Sequence, residues 1–242
     1  SITPSPQQDA FWKQLGLGKS DSVRLSAFNA SITDEMKDKI AAAGLDKRGC
    51  EAKGVHSLGY AAVRKHFGYL PANDWAVLDL VSEALGGDYH SLKTKPGMLT
   101  TMKATAELVS LCKQNLCEPT PENIDQLAGH YDVETNGQRS KINELVPQVL
   151  EKCKAPKGKI SFDDMVWLPL VLDLPIPKVD MQIIDEAQDL NRMQQELIYR
   201  GGHRVVFVGD PHQAIYGFAG ADAESMNRMT KTLGDTSRGI IE

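Results

Sequence analysis

Two apolar runs in the last third of the chain stop abruptly in acidic and amide side chains. Met181-Gln-Ile-Ile184 runs into Asp185-Glu-Ala-Gln-Asp-Leu190, and Arg204-Val-Val-Phe-Val208 runs into Gly209-Asp-Pro-His-Gln213. Short runs of this kind read as strands buried on both faces of a parallel sheet, and ligands gather at the carboxyl ends of such strands. The pattern puts Asp185 and Glu186 at one strand tip, Asp210 and Gln213 at another, and a helical stretch between them. Val23-Arg-Leu-Ser-Ala-Phe28 reads as a further strand, followed by a helix from Ser31 to Ala43 with Met36 and Ile40 on one face. Near the start, Ala10-Phe-Trp-Lys-Gln-Leu15 begins an amphipathic helix, with Pro6 suited to a first turn and Ser5 to an N-cap.

From Tyr60 to Lys159 the character changes. The stretch is helix-rich and mixed in charge, broken by Pro71, Gly86-Gly87, Pro96-Gly97, Pro119 to Pro121 and Gly137. Nothing in it reads as catalytic. Lys93, Lys95, Lys103, Arg139 and Lys141 offer a phosphate-facing strip, against the ordinary reading of a solvated helical surface. Beyond it, Ile160-Ser-Phe-Asp-Asp-Met165 starts another helix, in which Asp163 and Asp164 suit an N-terminal cap better than a metal pair.

Composition narrows the class. The chain has 242 residues, 41% hydrophobic and 24% charged, with a formal net charge of −5. That allows one good core plus a smaller lobe, and it gives no global basic footprint, so nucleic-acid binding needs a local patch. The four cysteines, Cys50, Cys112, Cys117 and Cys153, have no metal-ligand spacing and read as reduced thiols. No run reaches the roughly 18 apolar residues of a membrane span. The expectation is a soluble intracellular protein, cytoplasmic or nucleoid-associated, with no membrane partner. At the strand tips, two carboxylates and an amide suit a Mg²⁺-nucleotide phosphate: one group holds the metal, one orients water, one senses the terminal phosphate.

The residues at those tips carry a resemblance. Asp185-Glu-Ala-Gln-Asp189 resembles the Walker B motif of the UvrD/Rep-like superfamily 1 DNA helicases, and Gly209-Asp-Pro-His-Gln-Ala-Ile-Tyr-Gly-Phe218 resembles that family's motif III. Thr3-Pro-Ser-Pro-Gln7 is similar to its Q motif, with Gln7 at the adenine-reading position. Ala27-Phe-Asn-Ala30 is similar to motif Ia, which implies DNA contacts at Phe28 and Asn29. Val55-His-Ser-Leu-Gly59 keeps only His56 and Ser57 of the next DNA-touching motif, and for His56 a structural role is as good a reading. The Phe162-Asp-Asp-Met165 segment also fits the family.

The resemblance implies an α/β fold: a RecA-like P-loop NTPase parallel sheet with flanking helices, incomplete, plus a helical insertion lobe. Residues 1–59 and 160–242 are expected to form the motor domain and 60–159 the lobe. It implies ATP and Mg²⁺ as cofactors, with Asp185 on the metal, Glu186 as the base for water, Gln213 on the terminal phosphate, and Gly209 and Asp210 lining the nucleotide site. The implied substrate is DNA, single-stranded or partially duplex, with Tyr216 and Phe218 stacking on bases unless they are ordinary core. The implied activity is that of an ATP-dependent DNA helicase moving 3′ to 5′.

One part is missing. The phosphate loop Gly-x-x-x-x-Gly-Lys-Ser/Thr is approached only by Gly16-Leu-Gly-Lys-Ser20, where Lys13 stands at the first glycine, no strand precedes, and Asp21 adds negative charge. Ser22 to Leu25 looks like the strand that enters the loop, and Leu25 to Phe28 like the strand after it, fused. A natural deletion and an engineered one leave the same residues behind. The family's second motor domain also has no counterpart in this sequence, so the chain is expected to be inactive in ATP hydrolysis. The competing reading is a non-catalytic DNA-binding or partner-docking module that kept the fold.

Overall fold

A computed structural model describes residues 13–18, 20–27, 30–210, 229, 231 and 232. Four short strands pair into one all-parallel sheet in the order β2-β1-β3-β4. They are β1 (Val23–Ser26), β2 (Cys50–Ala52), β3 (Val179–Ile184) and β4 (Gly202–Phe207). The α/β parallel sheet expected from the apolar runs is present. All four strands point the same way, so all four carboxyl ends lie along one edge.

Alternation along the strands divides the sheet into two faces. Val23, Leu25, Cys50, Ala52, Met181 and Ile183 turn to one side, where helix α1 (Ala30–Ala42) covers them with Met36 and Ile40, alongside Leu17. The opposite face is covered by α2 (Val55–Phe67), α8 (Phe162–Val171) and α9 (Arg192–Gly201). Five helices fill the span between α2 and α8: α3 (Ala76–Ala84), α4 (Tyr89–Leu92), α5 (Met98–Asn115), α6 (Pro121–His130) and α7 (Arg139–Lys154). No described helix is long and apolar enough to cross a membrane.

These helices do not stand apart from the sheet. One continuous cluster of buried side chains runs from Met102, Leu108 and Val149 through Trp167 and Leu168 to Ile184, Leu190 and Ile198. Helix α2 itself runs across residues 59 and 60, and Gly59 lies so close to α8 that a β-carbon there would overlap the Met165 carbonyl.

A buried ion pair pins α5 to α8. Lys113 Nζ lies 2.7 Å from Asp164 Oδ1, with both side chains almost fully buried, and 5.3 Å from the centre of the Trp167 ring. Burial pulls the Lys113 ammonium toward its neutral form, but the charges of Asp164, Cys153 and Asp163 and the hydrogen bond to Asp164 outweigh it and raise its pKa. Asp164 also completes a capping box at the start of α8: its Oδ2 accepts from Ser161 N at 2.8 Å while Ser161 Oγ accepts from Asp164 N at 3.2 Å. Of the acidic pair before Met165, Asp164 is therefore part of the cap, while Asp163 accepts from Gln114 Nε2 at 3.2 Å.

The strand expected from Val23 onward is present. β1 pairs without a break against both neighbours, Val23 opposite Cys50 and Met181, Leu25 opposite Ala52 and Ile183.

Candidate functional site

The carboxyl ends of the strands gather the candidate residues. Beyond β3, Asp185 N donates to Ser26 O at 3.0 Å, which ties the tip of β3 to the tip of β1. Asp185 Oδ1 accepts from Glu186 N at 3.0 Å, and both carboxylates are half-buried. Glu186 then takes a left-handed backbone, φ 53° and ψ 43°, which turns the chain into a single 3-10 turn at Ala187–Asp189. Side chains with a β-carbon seldom adopt this conformation, and strain of this kind concentrates at functional sites.

Gln188 holds the turn in place. This buried amide donates from Nε2 to Glu186 Oε2 at 2.7 Å and accepts at Oε1 from Asp210 N at 3.1 Å. Ala187 N donates to Val208 O at 2.9 Å, and Val208 N to Ile184 O at 2.8 Å. The acidic tip of β3 and the Gly209-Asp210 tip of β4 are thus stitched into one surface. Gly209 makes this approach possible, because a β-carbon there would sit 3.0 Å from Ala187 N and 3.1 Å from Gln188 N and would overlap Gln188 Oε1. Asp189, beside Glu186, has its pKa raised by burial and by the Glu186 charge. Asn191 and Gln194 then form a capping box that launches α9.

His56 and Ser57 stand at the start of α2, just past the end of β2. They share the strand-end edge but are two strand positions from Asp185, with β1 between. His56 is half-buried and its imidazole is pushed toward the neutral form by burial, with the Asp163 carboxylate opposing. Ser57 is exposed. The expected roles of Gln7, Phe28, Asn29, Gln213, Tyr216 and Phe218 fall on residues outside those described.

In the Gly16 to Ser20 segment, Gly18 N donates to Asp21 Oδ2 at 2.9 Å, so the chain's own carboxylate occupies the position an anion would take at that amide. Among the basic residues of the helical stretch, Arg139 and Lys141 face Asp125 and Glu144, and Lys93 lies over the Tyr89 ring.

A model of the UvrD/REP helicase N-terminal domain matches residues 16–234. The chain belongs to that family. Among curated relatives, F-box DNA helicase protein 1 of Schizosaccharomyces pombe is 53% identical over 51 residues, 21% of this chain and 6% of that protein. The RecBCD enzyme subunit RecB of Mycolicibacterium smegmatis is 35% identical over 111 residues, 40% of this chain and 10% of that protein. RecB of Buchnera aphidicola is 37% identical over 90 residues, 32% of this chain and 8% of that protein. The matches thus span a tenth or less of the length of each relative.

This UvrD/REP family domain also carries a polar network that the apolar pattern hides. Arg24, buried in the middle of β1, donates to Glu51 on β2 at 2.6 Å, to Gln182 on β3 at 3.3 Å, and to the carbonyls of Pro177 and Gly201 at 3.2 and 3.4 Å. Gln182 Nε2 donates in turn to Ser26 Oγ at 2.8 Å. The network reaches Ser26, whose carbonyl holds Asp185. A signal for it exists in the sequence: strands buried on both faces should be continuously apolar, and Arg24 and Gln182 interrupt two such runs.

Proposed function

We propose that the chain is the N-terminal motor portion of an ATP-dependent DNA helicase or translocase that moves 3′ to 5′, and that this polypeptide alone hydrolyses ATP negligibly. The observation that carries the reading is the acidic strand tip, with Asp185 and Glu186 held by Ser26, Gln188 and the Gly209-Asp210 turn. Relatives named as a DNA helicase and as a subunit of the RecBCD enzyme support a role on DNA. Motor activity and the DNA substrate belong to whole proteins much longer than this chain.

The residues fit the metal better than the nucleotide. Asp185 keeps one carboxylate oxygen outside its bond to Glu186 N, and hard oxygen ligands of this kind suit Mg²⁺. When bound, Mg²⁺-ATP supplies the phosphoryl group whose transfer to water drives movement. Asp185 would hold the metal, and Glu186, which Gln188 orients, would take a proton from water. Gly209 and Asp210 form the wall beside it. Gln7 reads the base, Gln213 reads the terminal phosphate, and Phe28, Asn29, His56, Ser57, Tyr216 and Phe218 contact DNA. The phosphate loop is missing from the sequence, and the Gly18 amide, in the one segment that approaches it, is engaged by Asp21. Removing a single preorganised donor typically costs about 10²–10³ in rate, and a missing cradle removes several.

A second reading rests on the same Gly18–Asp21 bond: a DNA-binding or partner-docking module that kept the fold without gripping nucleotide. Calorimetry with Mg²⁺-ATP separates the two. The chain is compared with a version carrying a strand, phosphate loop and helix inserted ahead of Ser22, where β1 is not cut. Binding restored by the insertion supports the motor reading. DNA binding by both versions with nucleotide binding by neither supports the module, and tight nucleotide binding by the chain as it stands refutes the account of the missing cradle.

A further inference from the structure

The C-terminal end of α5 places two thiols together. Leu116 takes a left-handed backbone, φ 49° and ψ 41°, and closes the helix with two bonds: Leu116 N to Lys113 O at 3.1 Å and Cys117 N to Cys112 O at 3.2 Å. This is a Schellman motif, in which the residue after the left-handed position folds back onto the side chain five places earlier. The two residues brought together are usually apolar. Here they are Cys112 and Cys117, and both line the same cavity. We propose that Cys112 and Cys117 are a peroxide-reactive thiol pair, with Cys117 attacking the oxidant and Cys112 resolving the product into a reversible disulfide.

The two sulfurs differ in access and in chemistry. Both line a cavity of about 940 Å³ together with Trp167, Arg192 and Glu196, but Cys112 is buried at its wall whereas Cys117 is half-exposed. The neighbouring Cys112 thiol lowers the Cys117 pKa against the opposing effect of burial, and its own backbone amide and the Arg192 charge add to the lowering. The other two thiols show the contrast. Burial pushes both Cys50 and Cys153 up to about 11. Reactivity follows thiolate content and exposure, so the fold singles out Cys117. A disulfide needs Cα atoms about 4.4–6.8 Å apart, a reach compatible with two residues joined by one backbone hydrogen bond. No bridge links them in this structure, where all four cysteines are free.

The oxidation balances with a hydroperoxide as oxidant. The Cys117 thiolate attacks one peroxide oxygen, an S–O bond forms, the O–O bond breaks, and the leaving oxygen takes up a proton as water or alcohol. The Cys112 sulfur then attacks the Cys117 sulfur. An S–S bond forms, the S–O bond breaks, and hydroxide leaves with the Cys112 proton as a second water. Two electrons pass from the thiols to the peroxide. The consequence lies next to the acidic tip, because Arg192 is the first residue of α9, the helix that leaves the Asp185-Glu186 turn. Oxidation turns the thiol that shares the cavity with Arg192 into a disulfide sulfur that cannot ionise.

The test is peptide mapping by mass spectrometry after brief treatment of the whole chain with hydrogen peroxide. Trypsin cuts after Lys113, so a Cys112–Cys117 bridge joins two peptides that a thiol reductant separates again. The expected result is that bridge, with iodoacetamide modifying Cys117 at least about tenfold faster than Cys50 or Cys153. In Cys112→Ser, Cys117 stops at a sulfenic acid that dimedone traps. In Cys117→Ser, the peroxide reaction is lost. The proposal is overturned if Cys50 or Cys153 oxidises as fast as Cys117, if wild-type Cys117 accumulates as sulfenic acid without bridging, or if no thiol reacts. Should Cys112→Ser not fold, the wild-type map alone decides.

Discussion

Single residues at the acidic tip hold it by contacts that leave little tolerance. Gly209 passes beneath the Ala187–Gln188 backbone without room for a methyl group. Gly209→Ala is therefore expected to lower stability by about 1–3 kcal/mol, read as a shift of the urea midpoint, and to disturb the Gln188 bridge to Glu186. His56 carries a pH dependence. Its folded pKa is depressed, so its contribution to stability is complete above the ordinary imidazole value of about 6.5. That contribution is lost as pH falls from there through the folded value, because the unfolded chain binds the proton first. Urea midpoints between about pH 5 and about pH 7.5 should fall on the acid side, and His56→Gln should flatten that slope. The position of Asp185, Glu186 and Asp210 at the strand tips was legible because carboxylates stand out at the end of an apolar run. Gln188 was not: an amide within an acidic segment shows no sign that it bridges two strand tips until both strands are in place.

At the scale of elements, caps and pairs fix where each helix begins. Ser161 and Asp164 start α8, Asn191 and Gln194 start α9, and the Lys113–Asp164 pair ties α5 to the first of these. Breaking a buried pair leaves the surviving charge without a partner. Lys113→Met should cost about 3–5 kcal/mol in chemical denaturation, far more than the exposed Lys39–Glu35 pair, both of whose side chains are mostly in solvent. The helix from Ser31 was readable from its period and differs from α1 by one residue at each end. β2 escaped notice because it is three residues long with Glu51 at its centre, and Glu51 is there for Arg24. Pattern alone likewise does not reveal that both edges of β1 are paired.

Over the whole molecule, the parallel sheet and its acidic edge follow from two apolar runs and their endings, whereas the depth to which the middle helices share the core does not. Periodicity marks which face of a helix is apolar but not which neighbour covers it. The shared cluster that links Met102 and Val149 to Ile184 and Ile198 predicts that both parts lose structure together. Urea unfolding followed by far-ultraviolet circular dichroism and by tryptophan fluorescence should give coincident curves. Separate transitions would instead show two independently stable units. The same cluster bears on modularity. A block that merely docks on a motor can be cut out, exchanged or lost without harm to what remains. Excising residues 60–159 would instead strip the cover from Trp167, Leu168, Ile184 and Met193 and leave Asp164 without Lys113. The acidic edge thus rests on the middle stretch through shared packing and the Lys113–Asp164 pair.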